Sequence, residues 1–268
     1  MISPWTSEST SSKVSSMQAI RTATHPKGFQ IHFDPEPHHY HVDGERLMSV
    51  TTVIQKWFPQ FDAEAVAKKK AAREGGSYEA FMAEWSRKRD EAAGFGTKAH
   101  LMAELILQEK DERAADHLAE SEREKTYLLA IKQSLARIAL GYEIIESEKI
   151  VFSPHYKIAG TIDLLMRSKA TGEYVIGDWK TNREIKYAAF RQEKGHGPCS
   201  RLANCNFSHY SLQTSAYAEL LTSEGYLPSG KAVRGVLLHL HEKSDGRVGC
   251  DYIKTSDLAA EFRSILRT

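Results

Sequence analysis

Gly160-Thr161-Ile162-Asp163-Leu164-Leu165 and, one turn later, Val175-Ile176-Gly177-Asp178-Trp179-Lys180-Thr181 decide how this chain is read. Apolar, β-branched residues alternate around both stretches, and Ser168-Lys169-Ala170-Thr171-Gly172-Glu173 between them has the composition of a turn, so the pair predicts a β-hairpin. A turn centred on Ala170-Thr171 sets Asp163 opposite Asp178. Directly opposed residues share a face with Cβ atoms about 5 Å apart, and Lys180, two residues beyond Asp178, points the same way. Two carboxylates that close repel unless a cation lies between them, and oxygen ligands of this kind suit Mg²⁺ or Mn²⁺. A lysine beside the cation can position or deprotonate a water. Asp163 also lies between Ile162 and Leu164 in an apolar strand, where a carboxylate is costly unless paired or metal-bound.

The 268 residues suffice for one large domain with a helical elaboration. Charged residues make up 26% and hydrophobic ones 41%, and no apolar run approaches the roughly 20 residues that span a bilayer, so no membrane partner is expected. Lys+Arg number 36 against 35 Asp+Glu, so a nucleic-acid surface has to be a local basic groove. Cys199, Cys205 and Cys250 form an odd set without C-x-x-C spacing, which fits a reducing, intracellular compartment: cytoplasm, nucleoid or an infected host cell. Residues 1–28 are Ser/Thr-rich, hold Glu8 as their only acid and lack an apolar signal core, which predicts a flexible tail. The alternative, from the acid-poor start with Lys13, Arg21 and Lys27, is a transit peptide and a mitochondrial matrix location.

Residues 29–93 predict a short hairpin with Asp43-Gly44 as turn, a helix after Ser49 and Thr51 stopped by Pro59, and an Ala/Lys/Glu-rich helical segment interrupted at Gly75-Gly76. Gly94 to Gly96 then lead into a helix with Thr97 as N-cap, on which His100 and Glu104 share a face. A helix over 120–140 precedes a strand at 143–152. Residues 184–194 predict another helix, 195–206 a loop and 210–221 a strong helix. A strand at 232–241, a turn at Asp245-Gly246, a strand near 250–253 and a helix from Ser256 follow. Glu146 and Glu148 read as solvated strand acids, and His239 and His241 as structural residues alternating on a strand.

In order along the chain, Gly96-Thr97-x-x-His100, Gly160-Thr161-x-Asp163, Asp178-x-Lys180 and Gln213-x-x-x-Tyr217 resemble the motif set of the RecB-like branch of the PD-(D/E)XK nuclease superfamily. Ser49-Val50-Thr51 is similar to the start of some members, including mitochondrial genome-maintenance exonucleases and phage or viral relatives. The resemblance spans about residues 49–240. It implies an α/β fold: a restriction-endonuclease-like core with a central mixed β-sheet flanked by helices, plus an N-terminal helical elaboration. Residues 29–268 would form one domain, with 29–93 as the elaboration and 94–268 as the catalytic core.

The resemblance implies that Asp163 and Asp178 are metal ligands, with His100 and the backbone carbonyl of Trp179. Glu104 either binds the metal, directly or through water, or caps the far side of the cluster. One or two Mg²⁺ or Mn²⁺ ions would serve phosphodiester hydrolysis, and Lys180, with an ammonium pKa lowered beside the metal, would orient and help deprotonate the water. Gln213, Tyr217, Thr97, Thr181 and Arg183 would contact nucleic acid. The implied function is a DNA exonuclease in repair, recombination, replication or phage DNA processing, with single-stranded DNA or DNA ends as substrate and a helicase or recombination protein as further partner. A structure-specific or RNA-directed endonuclease, and a non-catalytic nucleic-acid-binding subunit, are the rival readings. An iron-sulfur cluster normally takes four cysteines, and this chain has three, so none is expected.

Lys68, Lys69, Lys70, Arg73, Arg87, Lys88, Arg89, Arg183, Lys186 and Arg191 are candidate groove cations, with Trp57, Trp85, Trp179 and Tyr187 as stacking groups. His196, Cys199, Cys205 and His209 supply four zinc-type ligands, but not in the usual pair-plus-pair spacing, and a plain loop is the competing reading.

Overall fold

Four short strands open the part of the chain that the computed structural model describes, residues 20–268. β1 (Arg21–Thr24), β2 (Gln30–Asp34), β3 (His39–Val42) and β4 (Glu45–Ser49) form an antiparallel meander. Ile31, Phe33, Tyr40, Val42 and Leu47 alternate onto its buried face. Asp43-Gly44 is a turn with both φ angles positive, the geometry of a two-residue hairpin connection, but it joins β3 to β4 rather than closing a lone hairpin. The first 19 residues of the expected tail lie outside the described residues. Residues 21–28 are not tail: Arg21–Thr24 pairs with β2, His25 is buried 3.4 Å from Glu224, and Lys27 Nζ reaches the same carboxylate at 2.8 Å.

Ser49 caps α1 (Val50–Gln55) by accepting the Thr52 N–H at 3.1 Å, and Asp62 caps α2 (Ala63–Glu74), which ends at Gly75-Gly76. α3 (Tyr78–Glu109) then runs for 32 residues without a break. The helix start expected at Thr97 is therefore absent, and the Thr97 hydroxyl donates to the Ala93 carbonyl in mid-helix. Gly96 has another use: a Cβ there would lie 3.3 Å from Thr181 Oγ1, so the glycine lets α3 cross close to the strand that carries Lys180. α4 (Glu122–Gly141) begins with a Ser121/Glu124 capping box.

β5 (Tyr142–Ser153), β6 (Ile158–Ser168) and β7 (Tyr174–Lys180) follow. The helix expected over 184–194 does not form, apart from a single 3₁₀ turn at Phe190–Gln192. Asn206 takes its place in the hydrogen bonding: its side chain accepts the Lys186 N–H at 2.7 Å and donates to the Glu184 carbonyl at 2.8 Å, holding the backbone open. α5 (Asn206–Ser223), β8 (Val233–Glu242), β9 (Val248–Lys254) and α6 (Ala259–Ile265) complete the order.

The strands form one mixed sheet in the order β1-β2-β3-β4-β6-β7-β8-β9, with β5 on the other edge of β6. α3 and α4 cover one face through Met102, Leu105, Ile131 and Leu135 against Leu164, Met166, Leu238 and Leu240. α1, α5 and α6 cover the other through Ile54, Leu212, Leu220 and Phe262 against Ile162, Leu165 and Ile176. Among the described residues no helix is long and apolar enough to cross a membrane.

One topological detail positions the chemistry. β5 pairs along the full length of β6, whereas the opposite edge of β6 is divided: β4 runs parallel to it at Ile158 and Ala159, and β7 runs antiparallel to it from Leu164 to Arg167. Residues 160–163 have no ladder on that edge. Gly160, inside this gap, lies under Tyr217 of α5, and a Cβ there would sit 2.5 Å from the ring.

Gly160→Ala should therefore cost about 1–3 kcal/mol through overpacking, measured by urea unfolding. Gly94→Ala, in α3 with open space around the added methyl, should stabilise by up to about 1 kcal/mol. Equal effects of the two substitutions would show that Gly160 is not constrained by Tyr217.

Candidate active site

In a β-strand the N–H and C=O of one residue point to the same side. Those of Trp179 point at the open edge of β6, where no backbone partner meets them. The N–H donates to Asp163 Oδ2 at 2.7 Å, and the carbonyl accepts from His100 Nε2 at 3.0 Å. The second ring nitrogen of His100 faces Asp163 Oδ2 at 3.4 Å. The turn centre is where the arithmetic predicted it, but the ladder stops at Leu164↔Gly177, so the expected directly opposed pair of Asp163 and Asp178 does not form. Ile162 packs on the α5 face and Leu164 on the α3/α4 face, although residues two apart share a face in a regular strand. β6 turns over at Asp163, which aims its carboxylate into the fork between β6 and β7.

Val175 and Trp179 face α3 and α4 and Ile176 faces α5, so Asp178 and Lys180 share the α5 face. Asp178 Oδ2 stands 2.6 Å from Lys180 Nζ, and the ammonium lies 4.5 Å from the centre of the Tyr210 ring. Burial pushes the Asp178 carboxyl up from its ordinary value, with Lys180 pulling against it. Burial alone would lower Lys180, but Asp178 and Asp163 together outweigh it and hold the ammonium above its ordinary value. The lowered lysine expected from the sequence is thus not a property of the protein groups by themselves.

Glu148, read from the sequence as a solvated acid, belongs to this cluster. It lies between the register pairs Ser147↔Leu164 and Lys149↔Ile162, hence opposite Asp163, and its φ of 51° is unusual for a glutamate. His100, Glu148 and Asp163 each offer a donor atom within 4.8 Å of the others. The Glu148 side chain is 15% exposed, and burial, reinforced by the Asp163 and Glu104 charges, raises its carboxyl well above the usual range. The turn arithmetic that paired Asp163 with Asp178 would also have found it: a β5–β6 turn centred on His155-Tyr156 puts Glu148 opposite Asp163. Glu146 is half exposed and paired with Lys149 at 2.6 Å, as a solvated acid should be.

Glu104 does not join the three-donor cluster. It accepts from Arg21 at 3.0 Å and from Gln108 at 2.8 Å, and burial raises its carboxyl. Arg21 also stands 3.6 Å from Glu148, so a residue assigned by composition to the tail is the cation between two buried acids. No local motif marks it, because its partners are 83 and 127 residues away in sequence.

The residues expected to meet nucleic acid divide. Gln213 is half-buried and donates to the Tyr217 hydroxyl at 3.1 Å, whereas Tyr217 is 4% exposed and packs over Gly160. Thr97 and Arg183 are exposed and Thr181 half-buried. The Trp179 side chain is in the core and offers no stacking face. Lys68, Lys70, Arg73, Arg87, Lys88 and Arg89 pair with acids of their own helices. Among the described residues Lys69, Arg183, Lys186 and Arg191 have no carboxylate partner, and the last three share the segment after Lys180 with the exposed rings of Tyr187 and Phe190. His196, Cys199, Cys205 and His209 do not converge on one another as a three-donor cluster: His209 bonds to Asn204 at 3.1 Å and Cys205 to Ser208 at 3.3 Å.

An imidazole, several carboxylates and a backbone carbonyl around one fork form a donor set suited to a divalent cation. Asp178 Oδ2, outside the three-donor cluster, is fully buried with the Lys180 ammonium at 2.6 Å as its one close polar contact among the described residues. Residues 63–268 match the sequence model of the PD-(D/E)XK nuclease superfamily, whose members use divalent metal ions, usually Mg²⁺ or Mn²⁺. No curated protein matches the chain.

A raised native carboxyl pKa means that protonation favours the fold. The stability linked to Glu148 is present below about 4.3, the ordinary glutamate value, and is lost as the pH rises toward the higher native value. Glu148→Gln should therefore raise the melting temperature of metal-free protein at pH 7.5, by about 2–4 °C for each kcal/mol relieved, with the gain vanishing near pH 4. Mg²⁺ should then stabilise the wild type more than the variant. Scanning calorimetry with and without the metal reads both effects, and a variant less stable than wild type at neutral pH would contradict the assignment.

Proposed function

Because the chain belongs to the PD-(D/E)XK nuclease superfamily, we propose that it is a Mg²⁺- or Mn²⁺-dependent deoxyribonuclease that degrades DNA from its ends. His100, Asp163, Asp178 and the Trp179 carbonyl hold the cation in this reading, Glu148 adds a carboxylate, and Lys180 attends the attacking water. The observation that carries it is the convergence of His100 and Asp163 on the backbone of Trp179, beside the Asp178–Lys180 pair. When bound, the cation lowers the pKa of a coordinated water and neutralises charge on the phosphoryl oxygens.

The protein groups have separate tasks. Asp163 fixes the Trp179 backbone and so aims its carbonyl. Asp178 holds the Lys180 ammonium against the Tyr210 ring. Both acids keep the lysine protonated, so it acts as a cationic donor that stabilises negative charge and orients water. Gln213, braced by Tyr217, is available to the strand while Tyr217 stays in the core.

The path for that strand leads over residues 181–194, where Arg183, Lys186 and Arg191 flank the exposed Tyr187 and Phe190. Unpaired cations beside aromatic faces suit single-stranded nucleic acid. This composition, together with the RecB-like motifs, favours an exonuclease over a structure-specific endonuclease.

With Mg²⁺, end-labelled linear single-stranded DNA should be digested while a covalently closed circle survives. Lys180→Met should slow digestion by about 10²–10³-fold, the range for a lost donor that stabilises developing negative charge, with DNA binding retained in a filter or polarisation assay. Cutting of the circle would favour the endonuclease reading, and undiminished digestion by Lys180→Met would refute the site.

A further inference from the structure

A second group of metal-ligating side chains lies one strand away from Lys180. Leu238 and Leu240 of β8 face the core under α3 and α4, so His239 and His241 project from the opposite face. Asp251 of β9 is the register partner of His239 and joins them there. One donor atom from each of the three lies within 4.8 Å of the others.

The surroundings organise these donors. His239 is buried, and its Nε2–H donates to the Asn182 carbonyl at 2.7 Å. That bond fixes the tautomer and leaves the Nδ1 lone pair as the ligand atom, the backbone-carbonyl arrangement that orients metal-binding histidines. The rings of His239 and His241 are stacked with centroids 5.1 Å apart; His241 Nδ1–H donates to the His239 carbonyl at 3.3 Å, which leaves Nε2 as its ligand nitrogen, and the ring stands 3.7 Å from Asp251 Oδ2. Two imidazoles and one carboxylate presented from adjacent strands suit Zn²⁺, with a position left for water, better than they suit the hard, oxygen-preferring Mg²⁺.

We propose that His239, His241 and Asp251 bind a Zn²⁺ ion at a site separate from the His100–Asp163 fork. The β7–β8 register places His239 beside Lys180, and Asn182 is two residues beyond it. Zn²⁺ on Nδ1 polarises the ring and strengthens its Nε2–H as a donor, which tightens the anchor on the end of β7. The site thereby braces the strand that carries Lys180 without touching the reacting groups.

The test is zinc binding alone, independent of any nuclease activity. Full-length protein held in excess Mg²⁺ is titrated with zinc chloride, and stoichiometry is read by native mass spectrometry. His100→Ala protein should retain one tightly bound Zn²⁺. His241→Gln and Asp251→Asn should each lose it, with affinity falling by more than the roughly 10–100-fold that removal of an outer-shell partner costs. Both positions reach solvent, Asp251 with 63% of its side chain exposed, so the variants should fold, and circular dichroism verifies that. Co²⁺ in place of Zn²⁺ should give visible ligand-field bands without thiolate charge transfer. Equal zinc binding by wild type and both variants, no binding by wild type, or a thiolate signature from the cysteines would each overturn the proposal.

Discussion

A side-chain carboxylate replaces a backbone carbonyl at the point where β6 and β7 part, and the rest of the site depends on that exchange. The Trp179 N–H would be orphaned in the fork, at a cost of about 1–3 kcal/mol for a buried donor. Asp163 satisfies it at 2.7 Å. Once the N–H is held, the carbonyl of the same residue is fixed in direction and accessible from α3, where His100 meets it. The fork exists because β4 and β7 divide one edge of β6 between them. A continuous hairpin would have consumed the Trp179 backbone in its ladder and left no carbonyl for chemistry.

The same fork concentrates charge that folding alone would not choose. Asp163, Asp178, Glu148 and Glu104 lie near one another, and burial raises the last three. Lys180 and Arg21 are the protein's own counter-charges, one bound to Asp178 and the other shared by Glu104 and Glu148. A divalent cation, of the kind members of the superfamily use, would complete the balance. Arg21 comes from β1, outside residues 63–268 that match the superfamily, so the N-terminal meander contributes to the centre as well as to the sheet.

Local patterning made much of this legible. The hairpin and its turn centre follow from alternation and turn composition, and the fold class follows from the ordered motifs, whereas the expected shared-face pair of Asp163 and Asp178 does not form because the ladder ends at Leu164↔Gly177. The failures have local causes of their own. Gly94 and Gly96 look like a helix start, but α3 passes through them because the second glycine is needed for close approach to Thr181. Residues 184–194 have helical propensity, yet Asn206 diverts their backbone bonds. The roles of Glu148 and Arg21 leave no local signal, because they arise from strand pairing and from contacts across more than eighty residues. Tyr217 carries a motif position but serves packing, filling the space that Gly160 leaves open.

The central claim is that one cation is held where the Trp179 carbonyl, His100 and Asp163 meet. A crystal of the full chain grown with Mn²⁺, measured at a wavelength where manganese scatters anomalously, tests it most directly. The account predicts an anomalous peak in the β6–β7 fork, coordinated by His100, Asp163 and the Trp179 carbonyl, with Asp178 or Glu148 completing the shell. A peak bound elsewhere, with the Trp179 carbonyl still bonded only to His100, would contradict it.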